Sequence, residues 1–353
     1  MPQPFSTHRA QIEFILLGWG MQAAPAARTA DVMAWADLRG VDSHGLSMLT
    51  VYDSRRMAGQ LNIKANPRII HETPVAVLVD GDGGLGHMPS IIAMEAIIRK
   101  AKESGLALAS VRNSAHFGPA GYYSNMAAEA GMIGIGCTSA SGIQVAPTGG
   151  AEAKYGTDPW TFAAPTREGE PFLLDMATTT VAAGRIRNKA NESLPVPLGW
   201  MVTGEGKPTT DATENQKGGF LTPLGGTADG SSYKGYGLAA MVNILASGLS
   251  GATFPTDPMH TKKRQGQDIG HFFLCINPAL FRAAEEFRQE VTTFCDSLRA
   301  TKPADPDKPV MVAGDPERKI AAQRGQQGIP VMPNLAEKVK AIAQAARAEW
   351  ILD

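Results

Sequence analysis

The stretch "VAVLVDGDGGLGHMPS", residues 75–90, decides the fold. An apolar, β-branched run leads into Gly81-x-Gly83-x-x-Gly86, and "IIAMEAIIRKAKES" follows as an amphipathic helix. Strand, glycine loop and helix thus stand in the order that a dinucleotide-binding fingerprint requires. The fingerprint makes two further demands. About 20 residues on, a second strand should end in an Asp or Glu for the ribose; the second strand here, "LALASV", runs into Arg112-Asn113-Ser114. An alternating βαβαβ pattern should then continue, yet after residue 130 the strands come in quick succession, as in an antiparallel or mixed sheet. The glycines therefore read as a tight turn and a compact helix entry.

Outward from that loop, the chain has 353 residues, 43% of them hydrophobic, enough for a sizeable core and two domains. Charges of both signs are dispersed and the net charge is -1, which supplies no basic field for nucleic acid or an anionic membrane. The cysteines Cys137, Cys275 and Cys295 lie far apart and form no C-x-x-C pair, so neither a zinc knuckle nor a disulfide framework is expected. "FILLGWGMQAAPAA" (14–27) has the short apolar run and small residues of a secretory leader, but Glu13 borders it, Gly18 and Gly20 interrupt it and only Arg9 supplies a basic n-region, so cleavage is not expected. No apolar run approaches the ~20 residues needed to cross a bilayer. A cytoplasmic location is the expectation.

Residues 8 to about 58 read as helices: "THRAQIEFILLGWGMQ", "AARTADVMAWADLRG" with Gly40 as its stop, and "SHGLSMLTVYDSRRMAGQ" from Ser43 to near Gly59. From about 68 come short β-like runs, "PVAVLVD", "LALASVR", "GMIGIGCTS", "TFAAPT" and "PFLLDMA", with helical patterns at 88–103 and 118–130. Residues 190–232 are rich in Gly, Pro, Thr and Asn and read as a long loop covering a site. "YKGYGLAAMVNILASGLSG" is a buried helix and "HFFLCINP" a strand. A helix, a polar loop with "AGDPERK", and a last helix opening on the capping-box-like Asn334-x-x-Glu337 complete the chain. The expected architecture is a helical part from both termini, 1–68 and 256–353, around a central sheet domain, 69–255.

The side chains able to do chemistry fall in a few segments. In "GVDSHGLSMLTVY", a helix opening at Ser43 places His44, Met48 and Tyr52 along one face. The positive end of its dipole disfavours imidazolium and leaves His44 a neutral base near pH 7; the bland alternative is a capped helix start with a solvent-facing His. In "RNSAHFGPAGYYSNMAAEAG", His116 follows a strand, and Gly118-Pro119-x-Gly121 opens a helix whose amides can hold an anion, unless His116 is structural. Asp175 ends the strand in "FLLDMATTTVAAGRIR", placed for a ribose hydroxyl, a catalytic His or a helix cap. In "LTPLGGTADGSSYKGYGL", Gly225-Gly226 and Lys234 meet a phosphate or carboxylate, or form a plain loop. Nothing has the spacing of a metal site, a Walker loop or a nucleophile elbow. His acid/base chemistry beside glycine-lined anion sites remains.

Taken in order, "GVDSHG", "NSAHFGPAGYY", "GTDPWTFAAP", "LLDMATTTVAAG", "KPTTD", "PLGG", "YKGYGLAAM" and "INPALF" resemble the type-2 malate/L-lactate dehydrogenase family over about residues 8–345. The resemblance implies an α/β, non-Rossmann fold with a central mixed sheet, and a homodimeric oxidoreductase using NAD or NADP on a small 2-oxo or 2-hydroxy acid. By motif, it implies Ser43, His44 and His116 as catalytic residues. It implies cofactor contacts from His116, Phe117, Gly118, Pro119 and Ala120, from Asp175, Met176, Ala177, Thr178 and Thr179, from Leu224, Gly225 and Lys234, and from Gly314, Asp315, Pro316 and Glu317.

Many members carry an arginine four residues after the SHG histidine; here that position is Met48, a soft wall suited to an apolar or aromatic substrate, which is closest to the hydroxycarboxylate dehydrogenase subgroup. Met48, Tyr52 and Lys154 are expected on the substrate side, with Lys154, Lys234 and backbone N–H groups as candidates for the substrate carboxylate. A cyclic-ketimine reductase and a nucleotide-binding relative without turnover are the alternatives. The ketimine reductases carry an acid where this chain has Arg185.

Overall fold

The computed structural model describes residues 2–140, 142–167, 169–256 and 266–352. The chain opens with β1 (Pro2–Gln3), α1 (Phe5–Gly18), α2 (Ala23–Leu38) and α3 (Met48–Met57). Next come β2 (Arg68–Glu72), β3 (Ala76–Asp80), α4 (His87–Ser104), β4 (Leu106–Ser114), α5 (Gly121–Glu129), β5 (Ile133–Thr138), β6 (Trp160–Ala164) and β7 (Phe172–Met176). They are followed by α6 (Ala183–Asn191), β8 (Met201–Val202), β9 (Pro208–Thr209), β10 (Phe220–Leu221), α7 (Tyr233–Asn243) and β11 (Ile269–Ile276). α8 (Ala284–Arg299), α9 (Asp315–Gln327), β12 (Ile329–Pro330) and α10 (Pro333–Ala345) close the chain.

The main sheet has the order β2-β3-β4-β11-β5-β6-β7. Its β3–β4 pair is parallel, with α4 as the crossover, and the other pairs are antiparallel, so the sheet is mixed and not doubly wound. The middle strand, β11, lies beyond the boundary expected at residue 255. Antiparallel pairing with β4 and β5 lets a sequence-distant strand enter between them.

The glycine loop spends its amides on the chain itself. Gly81 N–H donates to Arg112 O, Gly83 N–H to Asn113 O, Gly84 N–H to Gly81 O, and Gly86 N–H to His116 O. A Cβ on Gly86 would sit 2.4 Å from Ala115 O. These glycines bring two backbones into contact. The loop is a brace for the segment that follows β4.

The chain's two ends share one core. Ile12, Ile15, Leu16, Met33, Leu49 and Tyr52 pack with Val339, Ala343 and Leu352. Buried Gln11 ties the tail in, donating to Glu349 O at 2.9 Å and accepting from Ile351 N–H at 2.7 Å. The leader-like residues 14–18 finish α1, with Ile15 and Leu16 fully buried in this core. Among the described residues no helix is long and apolar enough to cross a membrane.

The secondary structure departs from the sequence reading in three further segments. Residues 190–232, expected as a loop, contain the small sheet β10-β8-β9 over its own apolar cluster of Val145, Val196, Met201 and Leu221. Two-residue strands leave no alternation to read. The "AGDPERK" segment opens α9, a helix with no buried residue and hence no apolar stripe. The last helix begins at Pro333, with Met332 in the cap position, so Asn334 is already inside it.

Candidate active site

His44 does not sit in the first turn of a helix. α3 begins at Met48, and the residues before it are wound in i→i+3 turns: His44 N–H to Val41 O, Met48 N–H to Gly45 O and Leu49 N–H to Leu46 O. The reason lies in α2. The carboxylate of Asp37 accepts Leu46 N–H at 2.7 Å and pairs with buried His8 at 2.6 Å, capturing the backbone that Ser43 was expected to cap. From α9, Arg324 donates to Asp37 O and pairs with Asp42, fixing the other end of the turn.

Ser43 Oγ lies 2.8 Å from His44 Nδ1. His44 is half-buried in the cleft wall, and desolvation there lowers it to about 4, so the ring is neutral near pH 7. Its ring centroid is 5.3 Å from that of His116. The brace from the glycine loop holds His116 there, and Tyr52 Oη lies 2.7 Å from its Nδ1. Burial first, then the neighbouring His44, His87, Arg55 and His271, pushes His116 well below the usual histidine range.

A cleft of about 760 Å³ opens in front of His44, within the roughly 300–1,000 Å³ of small-molecule sites. Its walls gather Ser43 and His44, Gly118 to Ala120, Asp175 to Ala177, and Gly314 with Pro316 and Glu317. Four segments distant in sequence thus converge. Gly314 has φ +95 and would crowd Leu173 with a Cβ, so this wall needs glycine to stay close to β7. Asp175 is exposed to the cleft and accepts Gly121 N–H at 2.7 Å; desolvation by the surrounding walls first, and Glu317 as well, push its carboxyl up. With Gly121 N–H held by Asp175 and Gly118 N–H turned to His116 Nδ1, these two amides of the expected anion turn are already engaged.

Other expected residues lie elsewhere. Tyr52 is fully buried behind His116, so it supports that ring instead of meeting a substrate. Met48 packs against the helical core and is not a cleft wall. Lys154 is exposed and paired with Glu152 at 2.5 Å, because the loop carrying it turns to solvent. Lys234 is exposed on α7. Phe117 points into the core, stacked on His271 at 4.5 Å. Thr178 and Thr179 are buried and Leu224 and Gly225 are exposed; none of the four lines the cleft, and Leu224 N–H donates to Thr178 O at 2.9 Å. The Asp315 carboxylate is spent on Arg299 and Arg318.

Sequence reading missed Trp35 and Val41, Thr157 and Pro159, and Met311 to Ala313, all of which line the cleft. Of these, 311–313 were within reach, since they immediately precede the Gly314 motif. Trp35 gave only a helix-face signal; in the fold Arg39 lies 4.1 Å over its ring. Among the described residues no group of His, Cys, Asp and Glu is placed to hold a metal.

The family model described as malate/L-lactate dehydrogenase matches residues 4–340. A malate dehydrogenase of Pyrococcus horikoshii is 37% identical, over 96% of this chain and 93% of the relative. Hydroxycarboxylate dehydrogenase B of Escherichia coli O157:H7 is 34% identical, over 95% and 91%. The crystal structure of malate dehydrogenase from Entamoeba histolytica superposes with a TM-score of 0.93 at 33% identity, covering 100% of this chain and 99% of that one.

Proposed function

Because the chain belongs to the malate/L-lactate dehydrogenase family, we propose that it is an NAD(P)-dependent oxidoreductase interconverting a 2-hydroxy acid and a 2-oxo acid. The observation that carries this reading is a half-buried imidazole, His44, in the wall of a cleft that also gathers the segments around Gly118, Asp175 and Gly314. When bound, the nicotinamide supplies or takes the hydride at C2 of the substrate. Gly118 to Ala120, Asp175 to Ala177 and the Gly314 to Glu317 wall hold the cofactor. The fit rests on the open cleft and on Gly314, where a side chain would fill the wall.

His44 accepts the hydroxyl proton in oxidation and returns it in reduction, and Ser43 orients its ring. Neither Lys154 nor Lys234 lines the cleft. The exposed apolar residues Tyr233, Ile244 and Leu249, on α7 and the turns after it, are covered by a second copy in a homodimer, because monomers rarely leave such a row open. The three cysteines are free and buried, consistent with a reducing, cytoplasmic location.

The test is oxidation of NADH and of NADPH against a panel of 2-oxo acids, with cyclic ketimines as a separate arm. Turnover on a 2-oxo acid supports the reading. A ketimine reduced faster than every 2-oxo acid, or quenching by NADH without turnover, overturns it.

A further inference from the structure

Two donors converge on one nitrogen of His116. The backbone N–H of Gly118 is aimed at Nδ1 at 3.3 Å, and Tyr52 Oη lies 2.7 Å from the same atom. A backbone amide can only donate, so Nδ1 carries no proton and Tyr52 must donate as well. Tyr52 keeps that proton, since complete burial pushes its phenol far above the ordinary range. A neutral imidazole has one N–H, and here it falls on Nε2, which bonds no protein atom among the described residues.

From this convergence we propose that His116 serves as a fixed, neutral Nε2–H donor and not as a proton acceptor, with Tyr52 as the positioning residue that sets its tautomer. A second proton would have to enter at Nδ1, displacing both donors. It would also create a cation facing His44 on its turn, Arg55 on α3, His87 on α4 and His271 on β11. A neutral ring in that place holds a substrate oxygen by a hydrogen bond while the exchanged proton belongs to His44. The inference rests on the dehydrogenase reading for its role, but not for its tautomer.

The experiment is the imidazole ¹⁵N spectrum of histidine-labelled protein at pH 7, with His116 assigned through its absence in His116→Gln. The expected result is a neutral ring with a protonated Nε2 and a hydrogen-bonded, unprotonated Nδ1. In Tyr52→Phe the Nδ1 resonance moves toward that of an unbonded nitrogen, and turnover falls roughly 10-fold, the scale of one lost hydrogen bond. A protonated Nδ1 or an imidazolium in the unsubstituted protein overturns the proposal, as does an unmoved Nδ1 resonance in the variant. If Tyr52→Phe fails to fold, the unsubstituted spectrum decides alone. The Nε2–H pattern without any hydride transfer would sink the dehydrogenase reading and leave the tautomer standing; turnover with a protonated Nδ1 would do the reverse.

Discussion

The carboxylate of Asp37 lies directly beneath Gly45, so close that a Cβ at residue 45 would fall 2.0 Å from it. The glycine after His44 is therefore required by packing: it lets α2 hold the turn from below through Leu46 N–H. Gly45→Ala should lift the turn from this clamp. Overpacking of this kind costs about 1–3 kcal/mol, readable by urea unfolding. Turnover should fall at least roughly 10-fold, the kinetic scale of about 1.4 kcal/mol. Wild-type stability together with wild-type turnover would show that Asp37 does not position His44.

The pH dependence follows from desolvation. His44 is held at about 4, so in the free protein it stays neutral well below the usual histidine range. Oxidation needs the neutral ring, and its kcat/KM should be flat from pH 8 down to about 5. Reduction needs the protonated ring and should weaken about 10-fold per pH unit above that pKa. Asp175 in the same cleft is pushed up to about 6, so the profile is best read in Asp175→Asn, which removes that inflexion. An oxidation inflexion near ~6.5, the unperturbed histidine value, would mean that the ring is solvated.

His87 offers a stability test. It is fully buried and both ring nitrogens lack a hydrogen-bond partner among the described residues. Burial, then His44, holds it down at about 3. Between that value and the unfolded one near ~6.5, the unfolded chain binds a proton that the folded chain refuses, so this group removes stability as pH falls. Relative to His87→Gln, the unsubstituted protein should lose up to ~1.4 kcal/mol per pH unit through that window. Parallel denaturation curves at pH 7 and pH 5 check it; a constant difference between the two proteins would contradict it.

The long apolar strands were legible because they sit inside the sheet: β3, β4, β5 and β11 announce themselves by composition. The failure of the Gly81–Gly86 fingerprint was also legible, from Arg112-Asn113-Ser114 standing where an acid was needed. The start of α3 was not. Ser43 is a good cap locally, but Asp37, on another helix, outcompetes it, and that contact exists only in the folded chain. Likewise Asp315 lies in the expected cofactor motif, yet its carboxylate turns to Arg299 from α8 and Arg318 in its own helix. Tyr52 was placed beside the right histidine-bearing turn, but its partner proved to be His116 across the interior. Residues that build the cleft wall without polar chemistry, such as Val41 and Pro159, lay inside the quoted motifs but had no functional group to give them a role.

The central claim is that one imidazole, His44, exchanges the proton while the rest of the cleft holds the reactants. The most direct measurement is turnover of His44→Ala at saturating cofactor and 2-oxo acid, with cofactor binding followed in parallel by NADH fluorescence. A loss of at least ~100-fold in kcat, the low end for a general acid–base group, with cofactor affinity unchanged, is the predicted result. Turnover within a few-fold of the unsubstituted protein would contradict the claim outright.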